Sequence, residues 1–470
     1  MIVPQTRLLF WFALIALPFA ALGAVYPAAL LFSVVLIAGL LALALLDAAL
    51  AFGRLDGLSV ELPDVLRASK DRPLVIPVSI RNKHQHRLRL RLGLALPREL
   101  VASMEDIQVV LPEASEWSRL EWPCSPMKRG NFRVKQAFLE TDSRFGFWAV
   151  RGSVPVQGEV RVYPNLLAER NKLAALFLNR GVFGLHAQRQ LGKGRDFEKL
   201  REYVPGDGFD EIHWKATARR GHPVTKVFQI ERTQEVYVVI DASRLSARVQ
   251  SVVSSSRAVE TGSTPAATTP DHGPLATDLP KTETVLERFL TSALILGQAA
   301  EQQGDLFGLI TFTDQVQTFL RAKNGKAHYS ACRDAIYTLE PQNITPDFDE
   351  ISSFIRTRLR RRALLIFLTS LDDPVLAESF VRNMSLLAGQ HLVLVNMIQP
   401  PDAAPLFTRP GADGIDDLYR HLGGHLQWHN LRELEKVLQR RGVRFSLLEN
   451  ERLATELVSQ YVGVKRRQLL

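Results

Sequence analysis

The residues in this chain best placed to do chemistry are Asp241 and Ser243, which close the apolar run Val236 to Ile240. A carboxylate and a hydroxyl just past the carboxyl end of a buried strand stand where open α/β sheets place their ligand sites. Upstream, residues 192 to 219 are dense in charged and aromatic side chains. Glu198, Glu202, Asp207, His213 and Lys215 form a possible acid/base set. The same residues also suit a purely structural reading, in which Arg201 and Glu202 hold the segment against a sheet through ion pairs and Trp214 packs beneath. Gly192-Lys193-Gly194 lacks the spacing of a phosphate loop and does not follow a strand. The histidines at 421, 425 and 429 recur every four residues, but Gly423 and Gly424 argue against a continuous helix to carry them.

These residues need elements to position them. After Asp241, strand-like segments at 305–313, 363–369, 391–398 and 443–448 alternate with helical periodicity at 284–303, 347–360, 374–389 and 431–441. Alternation of this kind predicts an α/β fold, a doubly wound parallel sheet over residues 235–470. Residues 249–283, rich in Ser, Thr, Ala and Pro, interrupt it as an insertion expected to be disordered. Residues 57–165 read differently. Arg87-Leu88-Arg89-Leu90-Arg91-Leu92 alternates strictly, as a half-buried strand does, and 73–80, 107–111 and 132–139 are further short strands. Several such strands within one domain suggest a β-sandwich of immunoglobulin type.

The first 50 residues are expected to be a membrane anchor. No charged residue occurs from Leu8 to Leu46, a run long enough for two spans, and Gly23, Tyr26 and Pro27 mark a turn between them. The alternative is a signal peptide ending at Gly23. Arg7 precedes the hairpin and Arg54, Arg67 and Lys70 follow it, while the connecting turn carries no positive charge, so both flanks are expected on the cytoplasmic side of an inner membrane. The 470 residues carry a net charge of +9, which suits anionic lipid or acidic protein partners. No basic module with interleaved aromatic residues points to nucleic acid. The two cysteines, Cys124 and Cys332, have neither disulfide-framework nor zinc spacing.

The charged stretch also resembles the signature of the bacterial domain-of-unknown-function family fifty-eight. The matching residues are Gly192, Gly194, Phe197, Leu200, Arg201, Glu202, Tyr203, Pro205, Gly206, Asp207, Ile212, Trp214, Lys215, Ala218 and Arg219, spread over a segment at 190–234. Asp210 departs from the pattern, standing where members usually carry arginine. The resemblance implies a membrane-anchored protein with a von Willebrand A-like domain. It further implies a non-enzymatic adaptor role beside a protein partner, an AAA+ ATPase of MoxR type. In metal-binding domains of that kind an Asp-x-Ser-x-Ser strand end, a later threonine and a later aspartate hold magnesium. Asp241, Ser243 and Thr345 match three of those positions; Leu245 and Ser370 occupy the other two, with Ser246, Asp372 and Asp373 close by. Oxygen donors suit Mg2+, whereas the loss of a carboxylate weakens its neutralisation. Asp241 could equally cap the turn that follows it. Three readings therefore stand: a membrane adaptor, a metal-assisted hydrolase using Asp241 with Glu202, Asp207 or His213 as base, and a scaffold with a degenerate metal site.

Overall fold

A computed structural model of the chain describes residues 1–167, 169–171, 191–205, 208–229, 234–251, 282–406, 408 and 414–467. The chain divides into two compact units, Met1–Asn165 and Leu166–Leu470.

The first unit begins with strand β1 (Ile2–Pro4) and passes into two helices, α1 (Thr6–Val25) and α2 (Pro27–Ala51), each long and apolar enough to cross a membrane. The turn falls where the sequence places it. Tyr26 is extended, Pro27 opens α2, and Gly23 lets α1 pass close to the buried Ser33 of α2. Almost all of the apolar surface of both helices is uncovered by protein, as lipid-facing helices require.

Nine more strands complete the unit: β2 (Leu58–Glu61), β3 (Val65–Ser69), β4 (Leu74–Asn82), β5 (Leu88–Leu94), β6 (Leu100–Ala102), β7 (Ile107–Leu111), β8 (Trp117–Pro126), β9 (Gly130–Asp142) and β10 (Trp148–Tyr163). They form two sheets, one ordered β1-β10-β9-β5-β7 with β3 also on β10, the other β2-β4-β8-β6. Both sheets contribute to one core that includes Val78, Ile80, Leu90, Leu92, Trp122, Ala137 and Val162. The Arg/Leu alternation behaves as expected: Leu88, Leu90 and Leu92 are buried while Arg89 and Arg91 are exposed. The β3–β10 pairing is parallel, a long-range contact that no local pattern announces.

The hairpin and the first sheet are joined at both hairpin ends. β1 pairs with β10 through Ile2↔Val150, and the Gln5 amide donates to the Phe147 carbonyl at 2.8 Å. On the other side, Arg54 donates to the carbonyl of Asp142 at 2.6 Å. Between them Asp47, fully buried in the last turns of α2, accepts from the Ser143 hydroxyl at 2.6 Å and from the amides of Phe145 and Phe147 at 3.1 and 3.2 Å. A carboxylate at a helix carboxyl end opposes the helix dipole, so these outside donors are what make it tolerable there.

In the second unit, β11 (Leu191–Glu202) and β12 (Val224–Gln229) pair antiparallel around helix α3 (Trp214–Arg220). The main sheet is built from β13 (Glu235–Asp241), β16 (Leu306–Phe312), β17 (Val316–Lys323), β18 (Leu364–Leu368), β19 (Leu392–Ile398) and β20 (Arg444–Leu448), in the order β17-β16-β13-β18-β19-β20. The five strands from β16 to β20 along that order run parallel. The expectation of a wholly parallel sheet needs one correction: β17 is antiparallel to β16. Residues 314–325 lack the apolar run that marks the buried strands, because β17 is a half-exposed edge.

Helices cover both faces. α4 (Val285–Gln302), α5 (Lys326–Ile336) and α9 (Leu453–Arg466) pack with Val236, Val238 and Ile240. α6 (Phe348–Arg358), α7 (Pro374–Leu387) and α8 (Ile415–Arg440) pack with Tyr237 and Val239. Successive β13 residues thus enter opposite cores, the mark of a doubly wound sheet. Of the expected insertion, residues 252–281 lie outside the described residues; its flanks form a short ladder, β14 (Val249–Ser251) with β15 (Thr282–Thr284).

α8 corrects a second expectation. It runs unbroken through Gly423 and Gly424, and Gly424 is there for clearance: a Cβ on it would overlap the carbonyl oxygen of Asp402. His421, His425 and His429 do share this helix, but His425 accepts the Leu406 amide at 3.2 Å through Nδ1. Among the described residues no cluster of three or more His, Cys, Asp or Glu could hold a metal.

Candidate functional site

β13 is the first strand of the main sheet in sequence and lies at its centre. The chain leaves it to build β16 on one side and β18 on the other, so the carboxyl ends of β13 and β18 flank the point where the winding direction reverses. Ligand sites of open α/β sheets form at such points.

Asp241 ends β13 with its side chain fully buried. One carboxylate oxygen accepts the Ser243 amide at 2.9 Å and the other accepts the Thr369 hydroxyl at 2.6 Å. Burial pushes the carboxyl above the usual carboxylate range, against the stabilising hydrogen bonds from Ser243 and Thr369. Ser243, also buried, accepts the Leu245 amide on Oγ at 3.3 Å, and its carbonyl accepts from the Ser246 hydroxyl at 2.9 Å. Leu245 is buried as well, so its side chain serves packing where the resemblance calls for a hydroxyl.

Thr345 reaches the same strand end, more than a hundred residues later in the chain, because its loop is stitched to the β13 exit. Gln342 donates to the Ala242 carbonyl at 2.8 Å, and Arg244 donates to the Ile344 carbonyl at 3.0 Å. The Thr345 hydroxyl accepts from Arg244 Nε at 3.2 Å. Arg244 Nη2 also lies 3.7 Å from Asp373, and Arg248 pairs with Asp372. Asp373 caps α7, accepting the Val375 amide at 3.0 Å. Two arginines and Thr369 therefore belong to this edge although sequence reasoning passed over them. Arg244 stood in plain view between Ser243 and Leu245; nothing local disclosed what it would touch.

As a metal centre the donor set is poor. Asp241 is one carboxylate with both oxygens already engaged, and the Thr345 hydroxyl faces a guanidinium. A hard dication asks for about six oxygens and for more negative charge than one carboxylate supplies.

The described signature residues have partners of their own. His213 caps α3, accepting the Ala216 amide at 3.0 Å on Nδ1. Glu202 is exposed and sits 3.5 Å from His222. Tyr203 continues the β11–β12 ladder by donating its amide to the Pro223 carbonyl at 3.0 Å, and Arg201 donates to the Glu202 carbonyl at 3.3 Å. Lys215 and Arg219 are exposed on α3. Trp214, expected to pack beneath the segment, is instead 67% exposed. Gly206 and Asp207 lie outside the described residues. Gly192 to Gly194 fall inside β11 rather than between a strand and a helix. Among the described residues the hydrogen-bond partners of Asp241 are Ser243 and Thr369, neither drawn from the acid/base set.

The central strand with its flanking segments is also what relates this chain to known sequences. Residues 199–264 and 276–406 match the family described as protein of unknown function DUF58. The DUF58 match takes in Asp241, Ser243, Thr345 and Thr369. No curated protein matches the chain. Among solved structures, a conserved hypothetical protein BatB from Bacteroides thetaiotaomicron is 15% identical, with 50% of this chain and 99% of that chain covered and a TM-score of 0.28. An aerotolerance-related membrane protein from Bacteroides fragilis is 13% identical, covering 49% of this chain and 98% of that chain at a TM-score of 0.28.

Proposed function

We propose that this chain is a membrane-tethered adaptor or assembly factor without an active site of its own, and that its second unit binds a protein partner through the Asp241 edge. In this reading the first unit is an immunoglobulin-like sandwich fixed to its anchor, and the second is a von Willebrand A-like domain. The positive flanks of the hairpin, Arg7, Arg54, Arg67 and Lys70, favour the inner membrane with the bulk of the chain facing the cytoplasm. The partner class that the family resemblance implies is an AAA+ ATPase of MoxR type.

One observation carries the reading: the strand-end edge is built to be covered, not to react. Its carboxylate is buried with a hydrogen bond to each oxygen, whereas Ile344, Arg244 and Val375 stand exposed around it. A general base must come within hydrogen-bond reach of its proton, and two of the residues that a hydrolase would use are engaged elsewhere, His213 on a helix cap and Glu202 exposed beside His222.

The test is crosslinked affinity purification from native membranes, comparing wild type with the Asp241→Asn/Thr345→Ala double variant. An AAA+ ATPase recovered with wild type and lost with a folded double variant supports the adaptor. Equal recovery with both places the interface away from this edge. Failure of wild type to recover any ATPase removes that partner and returns weight to the hydrolase.

A further inference from the structure

Asp241, Ser243 and Thr345, the matched groups that could gather a dication, already have partners, and a cation of the chain's own stands among them. Arg244 is pinned twice: its amide donates to the Ile344 carbonyl at 3.0 Å, and Nε donates to the Thr345 hydroxyl at 3.2 Å. Among the described residues the rest of the guanidinium makes no hydrogen bond. Its side chain is 45% exposed, and an Asp373 carboxylate oxygen lies 3.7 Å from Nη2, too far for a hydrogen bond. A guanidinium has five N–H donors in a planar fork, and among the described residues only one of these is spent. The Thr345 oxygen, accepting from Arg244, still has its own hydrogen to donate.

The surroundings point to what this fork would hold. Ile344, 40% exposed, is bonded through its carbonyl to Arg244, and Val375, 76% exposed, is bonded through its amide to Asp373. A fixed cation with outward N–H groups between two exposed apolar side chains matches an acidic residue presented among apolar neighbours. Guanidinium and carboxylate match in planar, two-point geometry. The pair with Asp373 is long and half-exposed, where ion pairs are weak, so an incoming carboxylate displaces it at little cost.

We propose that the Asp241 edge recognises an aspartate or glutamate of its protein partner directly through Arg244 and Thr345, with no divalent cation between them. This rests on the adaptor reading and gives its partner's contact a chemistry. Arg244 does the work of the magnesium that the resemblance implies, and Asp241 has become an internal brace that holds the β13 exit to β18.

The test uses the full chain in detergent over an array of immobilised peptides. Each carries a single Glu or Asp among apolar residues and is matched by the same peptide with Gln or Asn. Binding to a subset of acidic peptides is expected to fall about tenfold or more with the amide counterparts, and equally with Arg244→Ala. Arg244→Lys should recover little, because it keeps the charge and loses the fork. Addition of EDTA should change nothing, and titration with Mn2+ should reveal no saturable site that Asp241→Asn abolishes. Equal binding of acid and amide peptides, undiminished binding by Arg244→Ala, or binding that EDTA removes would each overturn the proposal. If no peptide binds while the native-membrane experiment still recovers a partner lost in the double variant, the carboxylate receptor is wrong and the adaptor stands.

Discussion

Asp47 offers the sharpest check on how the anchor and the sandwich of the first unit are joined. Its buried carboxylate takes one hydroxyl and two amide hydrogens from the turn 142–147, the bonds from Ser143 and Phe147 buried and that from Phe145 partly so. Asp47→Ala leaves three donors in that site without an acceptor. A hydrogen bond to a charged group contributes about 1.5–3 kcal/mol net. Three that share one acceptor do not add fully, so about 3–5 kcal/mol is the expected loss of local stability. The neighbouring bond from the Trp148 indole to the Ala44 carbonyl, 2.8 Å, is a second tie that keeps the joint from parting outright. Hydrogen exchange of the full chain in detergent, followed by mass spectrometry on peptides spanning the turn, should show the Phe145 and Phe147 amides exchanging about two to four orders of magnitude faster. Asp47→Asn, which keeps an acceptor but turns an N–H₂ toward a donor, should fall between. Peptides from β13 and β18 serve as the internal control and should not change. Unchanged exchange at Phe145 and Phe147 in Asp47→Ala would refute the reasoning, since the carboxylate would then not be what those amides are bonded to.

Two further outcomes follow from packing and burial. Gly424→Ala should destabilise the second unit by about 1–3 kcal/mol, because the clash is with backbone at Asp402 and not with a side chain that can swing away; Gly423→Ala, where a Cβ meets nothing, should be neutral or slightly stabilising, and equal effects in thermal melts would contradict this. His391 is buried, neither ring nitrogen is hydrogen-bonded among the described residues, and burial, aided by Arg362, holds its pKa below 6.5. The folded protein therefore binds fewer protons than the unfolded chain as pH drops below 6.5, and stability present above that value is lost as pH falls toward the depressed folded pKa. His391→Leu should flatten this part of a melting-temperature profile, and an unaltered acid slope would show that the imidazole is not the group responsible.

Local pattern was enough for much of the molecule. A run of uncharged residues from Leu8 to Leu46, broken at Gly23 to Pro27, specifies two apolar helices and their turn, since each helix satisfies its backbone hydrogen bonds within itself. The Arg/Leu alternation at 87–92 specifies a strand with one buried face, and the apolar runs ending at Ile240, Leu368 and Ile398 specify strands buried on both. Asp241 at a strand end was visible for the same reason. Periodicity is a property of neighbours in sequence, and these features need no others.

What the tertiary structure alone decided are contacts between residues far apart in the chain. Leu364 to Leu368 are all buried, so no alternation tells which face the next side chain will meet, and only the sheet places Thr369, rather than Ser370, on Asp241. Arg244 meets the hydroxyl of Thr345, 101 residues away, because the loop before α6 is bonded to the exit of β13. Asp47 finds its donors some 100 residues downstream, and Gly424 makes room for Asp402. A side chain's partner across such a distance is set by the packing of whole elements. The sequence around either residue carries the chemistry of the contact, and the fold chooses with whom it is made.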